Sequence, residues 1–173
     1  MQLWRIATDA PGYTADDLSG KGALIEGGRW NEKGTPALYA SSSIALACLE
    51  TLVHTASSSL PLNRYLVRID VPDAVWTARS RPKTLPVGWD AIPPGRVSID
   101  LGQAWLAAGA AALLEVPSVV VEEESNVLIN PKHADAAKLS ATKLRKWIYD
   151  GRFRGPYYAP AARAPTSSAT RSA

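Results

Sequence analysis

The stretch RYLVRIDVP, from Arg64 to Pro72, constrains this chain most. Tyr65, Val67, Ile69 and Val71 fall on one side, and Leu66, Arg68 and Asp70 on the other. A period of two sends successive side chains to opposite faces of a strand, so the segment reads as a strand with one face in a core. Such a strand needs partners. The chain offers LWRIAT near the N-terminus and PALYAS over residues 36–41. It also offers AALLEVPSVVVEE, whose two apolar runs are parted by Pro117 and Ser118, and NVLINPKH, which ends at an Asn–Pro turn. All are short, and regular helices do not alternate with them. The expected class is therefore α+β, mixed sheets of short strands with a few helices, rather than a doubly wound fold.

Two segments read as helices. SSSIALACLETLVHTA opens with serines that can cap its N-terminus. Ala45, Cys48, Leu49, Leu52, Val53 and Ala56 fall on one face at helical spacing, while Glu50 and His54 share another. SIDLGQAWLAAG opens near Ser98 or Asp100 and stops at Gly109. AKLSATKLRKWIYD fits helix and strand equally. DAPGYTADDLSGKGALIEGG reads as loop, and RPKTLPVGWDAIPPG as a Pro-rich connection. A length of 173 residues suits one domain, expected over residues 1–155. Residues 156–173, rich in Ala, Pro, Ser, Thr and Arg, read as a flexible tail.

Composition removes several functions. Cys48 is the only cysteine, which excludes a disulfide framework and a Cys-based zinc site. There is no phosphate-binding glycine loop of the Walker type, no dinucleotide fingerprint and no zinc-protease helix signature. No metal site is expected. No secretory leader or membrane-length apolar run is visible, so the expected setting is the cytoplasm. The net charge of +3, with Lys138, Lys143, Arg145, Lys146, Arg152 and Arg154 towards the C-terminus, leaves a nucleic-acid-binding module as a distant alternative.

GGRWNEKGTPALYAS, Gly27 to Ser41, is the stretch richest in chemistry. Gly27 and Gly28 permit positive φ and close backbone approach. Between them and the turn at Gly34–Pro36 stand a planar cation, an indole and an amide. That grouping suits a ligand flat at one end and anionic at the other. Taken singly, each residue has a plain reading beside a functional one. Arg29 suits phosphate or a surface ion pair. Trp30 suits stacking or loop packing. Tyr39 closes an apolar strand. Glu50 lies in the most apolar part of its helix, as a working carboxylate or a solvent-facing edge residue. Ser118 suits ordinary turn chemistry, and Glu122 to Ser125 a solvated acidic loop. His54, His133 and Cys48 read as structural.

Together the ordered motifs LWRI, GGRWNEKGTPALYAS, ALACLETLVH and LLEVPSVVVEEESNVLINPKH resemble the RES domain of bacterial RES–Xre toxin–antitoxin pairs. The resemblance spans Leu3 to His133. The Arg, Glu and Ser that give the family its name match Arg29, Glu50 and Ser118, with Ser125 the weaker match. It implies an ADP-ribosyltransferase-like fold and an enzyme that takes NAD as co-substrate without a metal. Implied catalytic residues are Glu50, Arg29 and Tyr39. Implied NAD-binding residues are Arg29, Trp30, Tyr39, Ser118 and Asn126. The implied reaction cleaves the nicotinamide–ribose bond and passes ADP-ribose to an acceptor, a host-cell protein being favoured and water or phosphate the alternatives. An Xre-type antitoxin is the implied partner.

Overall fold

The computed structural model describes residues 1–54 and 62–153. Six strands build one sheet. They are β1 (Gln2–Ala7), β2 (Leu38–Ser41), β3 (Tyr65–Asp70), β4 (Leu113–Pro117), β5 (Ser125–Ile129) and β6 (Ser140–Lys146). Their order is β4-β5-β2-β1-β3-β6, and every neighbouring pair is antiparallel. The helices are α1 (Lys21–Glu26), α2 (Ile44–Val53), α3 (Asp73–Thr77) and α4 (Arg96–Ala108). The α+β expectation is borne out.

β1 and β3 pair along their whole length, from Gln2 opposite Asp70 to Ala7 opposite Tyr65. β1 and β2 share a single register pair, Trp4 opposite Ser41. The sheet is thus two three-stranded halves joined by a thin seam. On one face Leu3, Val67, Ile69, Leu38, Val127 and Ile129 form a buried core. On the other face Leu114, Val116 and Leu128 of the β4-β5-β2 half pack with Trp30 of the preceding loop and Trp105 of α4. Burying each of these aliphatic side chains contributes roughly 1.5–3 kcal/mol.

Several elements depart from the sequence reading. α1 lies inside the stretch read as loop, where Gly20 and Gly27 bound six residues. The ambiguous C-terminal segment divides into a 3-10 turn (Ala134–Lys138) and β6. Val119–Val121, the second apolar run after Pro117, is a bend and not a strand. α4 begins at Arg96, earlier than either proposed cap. Ser98 is buried inside it, and Asp100 pairs with Arg96 one turn back at 2.7 Å. Gly109 does end that helix, in the left-handed conformation at φ 56°. On α2 the buried residues are Leu46, Ala47 and Cys48, whereas Ala45 and Val53 are exposed. This helix is apolar on nearly every side, so its pattern does not single out one face. Ala56 and residues 156–173 lie outside the described residues.

Candidate active site

The turn between β2 and α2 sets the geometry. Ser43 caps α2 by accepting from the Leu46 N–H at 3.1 Å, and its hydroxyl donates to Glu124 at 2.6 Å. Glu124 lies in the segment read as a solvated acidic loop; Glu122 and Glu123 are exposed, but Glu124 ties α2 to the approach to β5. About two turns along α2, Glu50 faces the other end of that segment. The Ser118 hydroxyl donates to Glu50 Oε1 at 2.7 Å, and the Asn126 amide donates to the same oxygen. Ser118 is fully buried and accepts from the Val120 and Val121 N–H groups at 2.9 and 3.1 Å. Ser41 donates to Asn126 Oδ1 at 2.8 Å, which fixes the amide with its nitrogen towards Glu50. Among the described residues Glu50 Oε2 accepts no hydrogen bond. One carboxylate oxygen is therefore held by two side-chain donors. Ser125, the other candidate serine, pairs with Pro117 in the ladder and has no side-chain bond to Glu50 among the described residues.

The Gly27–Ser41 stretch folds round Tyr39. The Tyr39 hydroxyl accepts from the Trp30 N–H at 3.0 Å and donates to Asn31 Oδ1 at 2.7 Å. Asn31 is buried, and its amide donates to Ala23, Glu32 and Thr35 carbonyls at 2.9, 3.1 and 2.9 Å. Burial pushes the Tyr39 phenol far above its ordinary value, so it remains neutral. Gly28 is required here: a Cβ on it would stand 2.6 Å from the Tyr39 hydroxyl oxygen. Trp30 is 3% exposed and stacks on Trp89, with centroids 5.9 Å apart. Its ring belongs to the core.

Arg29 is half-buried between these groups. One terminal nitrogen donates to the carbonyls of Trp89 and Ala91 at 3.1 and 2.9 Å. Burial lowers its pKa, against the opposing fields of Glu50, Asp90 and Tyr39. Arg29, Tyr39 and Glu50 thus share one electrostatic neighbourhood.

Arg5 was assigned no role by the sequence reading, although it lies within LWRI. It stands on β1 in a cavity of about 70 Å³ whose walls include Tyr13, Asp17, Gly20 and Tyr39. Among the described residues its guanidinium has no hydrogen-bond partner. Burial pushes its pKa down to about 10, with Tyr13 and Asp17 opposing. A desolvated guanidinium without a partner favours an anion. The available signal was a cation inside an otherwise apolar strand.

The remaining candidates have structural roles. His133 Nδ1 accepts from the Asp135 N–H at 3.0 Å and caps a 3-10 turn. Cys48 is buried, and burial raises its thiol. Arg68 pairs with Asp70 at 2.9 Å. Lys138, Lys143 and Arg152 pair with Asp135, Asp9 and Asp150, whereas Arg145 and Lys146 form no ion pair among the described residues. Arg154 lies outside the described residues. No helix among the described residues is long and apolar enough to cross a membrane.

A split antiparallel sheet with a braced carboxylate in the neighbourhood of an arginine and a buried tyrosine defines the α+β architecture of this chain. The chain belongs to the RES domain family, which it matches over residues 2–153. It is 62% identical over 152 residues to the Prs ADP-ribosylating toxin of Sphingobium sp. (strain YBL2), covering 87% of this chain and 94% of that one. It is 36% identical over 155 residues to Toxin Res of Yersinia enterocolitica, covering 89% of this chain and 100% of that one. Among solved structures, the crystal structure of the M. tuberculosis MbcT–MbcA toxin–antitoxin complex contains a chain of similar fold. The TM-score is 0.60 at 19% identity, with 83% of each chain covered.

Proposed function

We propose that this chain is the toxin of a toxin–antitoxin pair, and that it cleaves the nicotinamide–ribose bond of NAD and transfers ADP-ribose to a protein. The observation that carries this reading is Glu50, with one oxygen fixed by Ser118 and Asn126 and the other without a partner among the described residues. The bond between the ribose C1′ and the nicotinamide nitrogen breaks, and its electron pair leaves with the nicotinamide. Positive charge builds on the ribose, and a fixed carboxylate stabilises it. The partnerless Oε2 holds a ribose hydroxyl, and the acceptor nucleophile then bonds to C1′ and loses a proton. Arg5 and the remaining donors of Arg29 supply positive charge to the diphosphate. The Tyr39 hydroxyl is already committed to Asn31 and Trp30, so Tyr39 contributes the face of its ring. The relative named Prs ADP-ribosylating toxin favours transfer of ADP-ribose over its simple release. An antitoxin of Xre type is the proposed partner, supported by the fold shared with a chain of a toxin–antitoxin complex.

The test is nicotinamide release from NAD, with and without phosphate and cell lysate, beside Glu50→Gln. Labelled protein product in lysate that disappears with Glu50→Gln is the expected result. Free ADP-ribose or a phosphorylated sugar as the sole product would replace the protein acceptor by water or phosphate. Undiminished turnover by the Gln variant would remove Glu50 from the chemistry.

A further inference from the structure

The Gly27–Ser41 stretch reaches the Pro-rich connection before α4 twice. Arg29 donates to the Trp89 and Ala91 carbonyls. The next residue, Trp30, stacks on the Trp89 ring at an interplanar angle of 23°. Leu85 and Trp89 pack at the edge of the buried cluster round Trp30 and Trp105, while Val87 is 98% exposed and Ile92 83%. The segment thus has little core of its own. Two neighbouring residues of the Gly27–Ser41 stretch hold it.

We propose that Arg29 has a positioning role in addition to its contact with substrate: its guanidinium clasps Leu85–Ile92 and so fixes that segment near Glu50. The chemistry of the group supports this. Both protons on one nitrogen go to main-chain carbonyls, a paired donation that a lysine ammonium does not reproduce in the same plane. The Nε and second terminal nitrogen keep their protons for a ligand. A substrate oxygen bound there shares one rigid plane with that segment. Loss of the clasp therefore misplaces the bound substrate even where positive charge is kept. Displacement of a reacting group by about 1 Å can cost on the order of 100-fold in rate.

The kinetic half of the test rests on the NAD reading, and the structural half does not. Two indoles in contact couple their transitions and give a circular-dichroism band that vanishes when either ring is removed. Trp89→Phe assigns that band. Arg29→Lys is expected to weaken it, to lower kcat for NAD turnover tenfold or more, and to change KM less than kcat. Trp89→Ala, with Arg29 intact, is expected to give the same kcat loss; Trp89→Phe, which keeps a ring on Trp30, recovers part of it. Trypsin cleavage after Lys83 should quicken in Arg29→Lys at unchanged melting temperature. A band and cleavage rate unchanged in both Arg29→Lys and Arg29→Ala overturn the clasp, whatever the activity. Wild-type kcat in Arg29→Lys, with only KM raised in Arg29→Ala, overturns positioning and leaves a simple anion hook. If wild type neither binds nor turns over NAD, loss of the band in Arg29→Lys still upholds the clasp, while the NAD reading fails.

Discussion

Gly102→Ala sets two effects of opposite sign against each other. Gly102 lies in the interior of α4, where alanine is favoured over glycine by about 1 kcal/mol. On propensity alone the change should stabilise. The structure gives the other sign. A Cβ at residue 102 would stand 1.9 Å from the Trp30 carbonyl oxygen, 2.7 Å from its carbon and 2.8 Å from its Cβ. The obstacle is mainly backbone, and backbone cannot rotate aside as a side chain can. α4 or the Trp30 loop must retreat by more than about 1 Å, through a cluster packed at interior density. Overpacking costs about 1–3 kcal/mol, and a backbone clash belongs at the upper end. Set against the propensity gain, about 2 kcal/mol of net destabilisation remains. For a chain of this length that lowers Tm by about 4–8 °C. Scanning calorimetry reads the change directly. Gly95→Ala is the control, because its backbone is extended and its added Cβ would meet no atom within 4 Å. A Gly102→Ala protein that melts at or above wild type would show that α4 does not rest on the Trp30 backbone.

Three further outcomes are expected. Ser118→Ala removes a donor to a carboxylate and the acceptor for two N–H groups, so it should cost about 2 kcal/mol in urea unfolding. It should also cut nicotinamide release tenfold or more; unchanged release would make the bond to Glu50 incidental. Tyr39→Phe strands the Trp30 N–H and Asn31 Oδ1, which should cost about 1–3 kcal/mol, and an unshifted melting curve would count against that network. Asp9 is held below its ordinary pKa, first by its hydrogen bond from Lys143 and then by that from the Ala15 N–H. A depressed carboxylate contributes stability that is present above the unfolded pKa and is lost as pH falls through the folded one. Stability should therefore decline below about pH 4, and Asp9→Asn should flatten that decline. An unaltered acid limb in the variant would assign the decline to other carboxylates.

Much of the fold was legible because strands advertise themselves. Residues 65–71 alternate, and Val67, Ile69 and Val71 are buried as that period requires, although Leu66 on the opposite face is buried as well. Gly109 ends α4 because a residue without Cβ enters the left-handed region freely. Errors arose where pattern carries no sign. α2 is apolar nearly all round, so a face cannot be chosen without knowing that Glu124 pins its first turn. Val119–Val121 has the composition of a strand, but Ser118 takes the Val120 and Val121 N–H groups that a ladder would need. For the site, residue types were legible and their duties were not. An arginine in a glycine-rich loop suits an anion or a carbonyl equally, and only the fold shows Trp89 and Ala91 waiting for Arg29. Trp30 read evenly as stacker or packer because both uses need the same ring.

The position of Glu50 follows from the strand before its helix. β2 is four residues long and meets β1 at one register pair. The strand must then turn at once into α2, and the capped Ser43 fixes where that helix begins. From that point the helical rise alone carries Glu50 to the start of β5. There, Asn126 is presented by its pairing with Ser41, and Ser118 by the bend that follows β4. A carboxylate in so apolar a helix would be costly to bury alone. Here two side-chain donors offset that cost on one oxygen and leave the other without a partner among the described residues. The arrangement stabilises the fold only in part, and the remaining demand for a donor is what a sugar hydroxyl would meet.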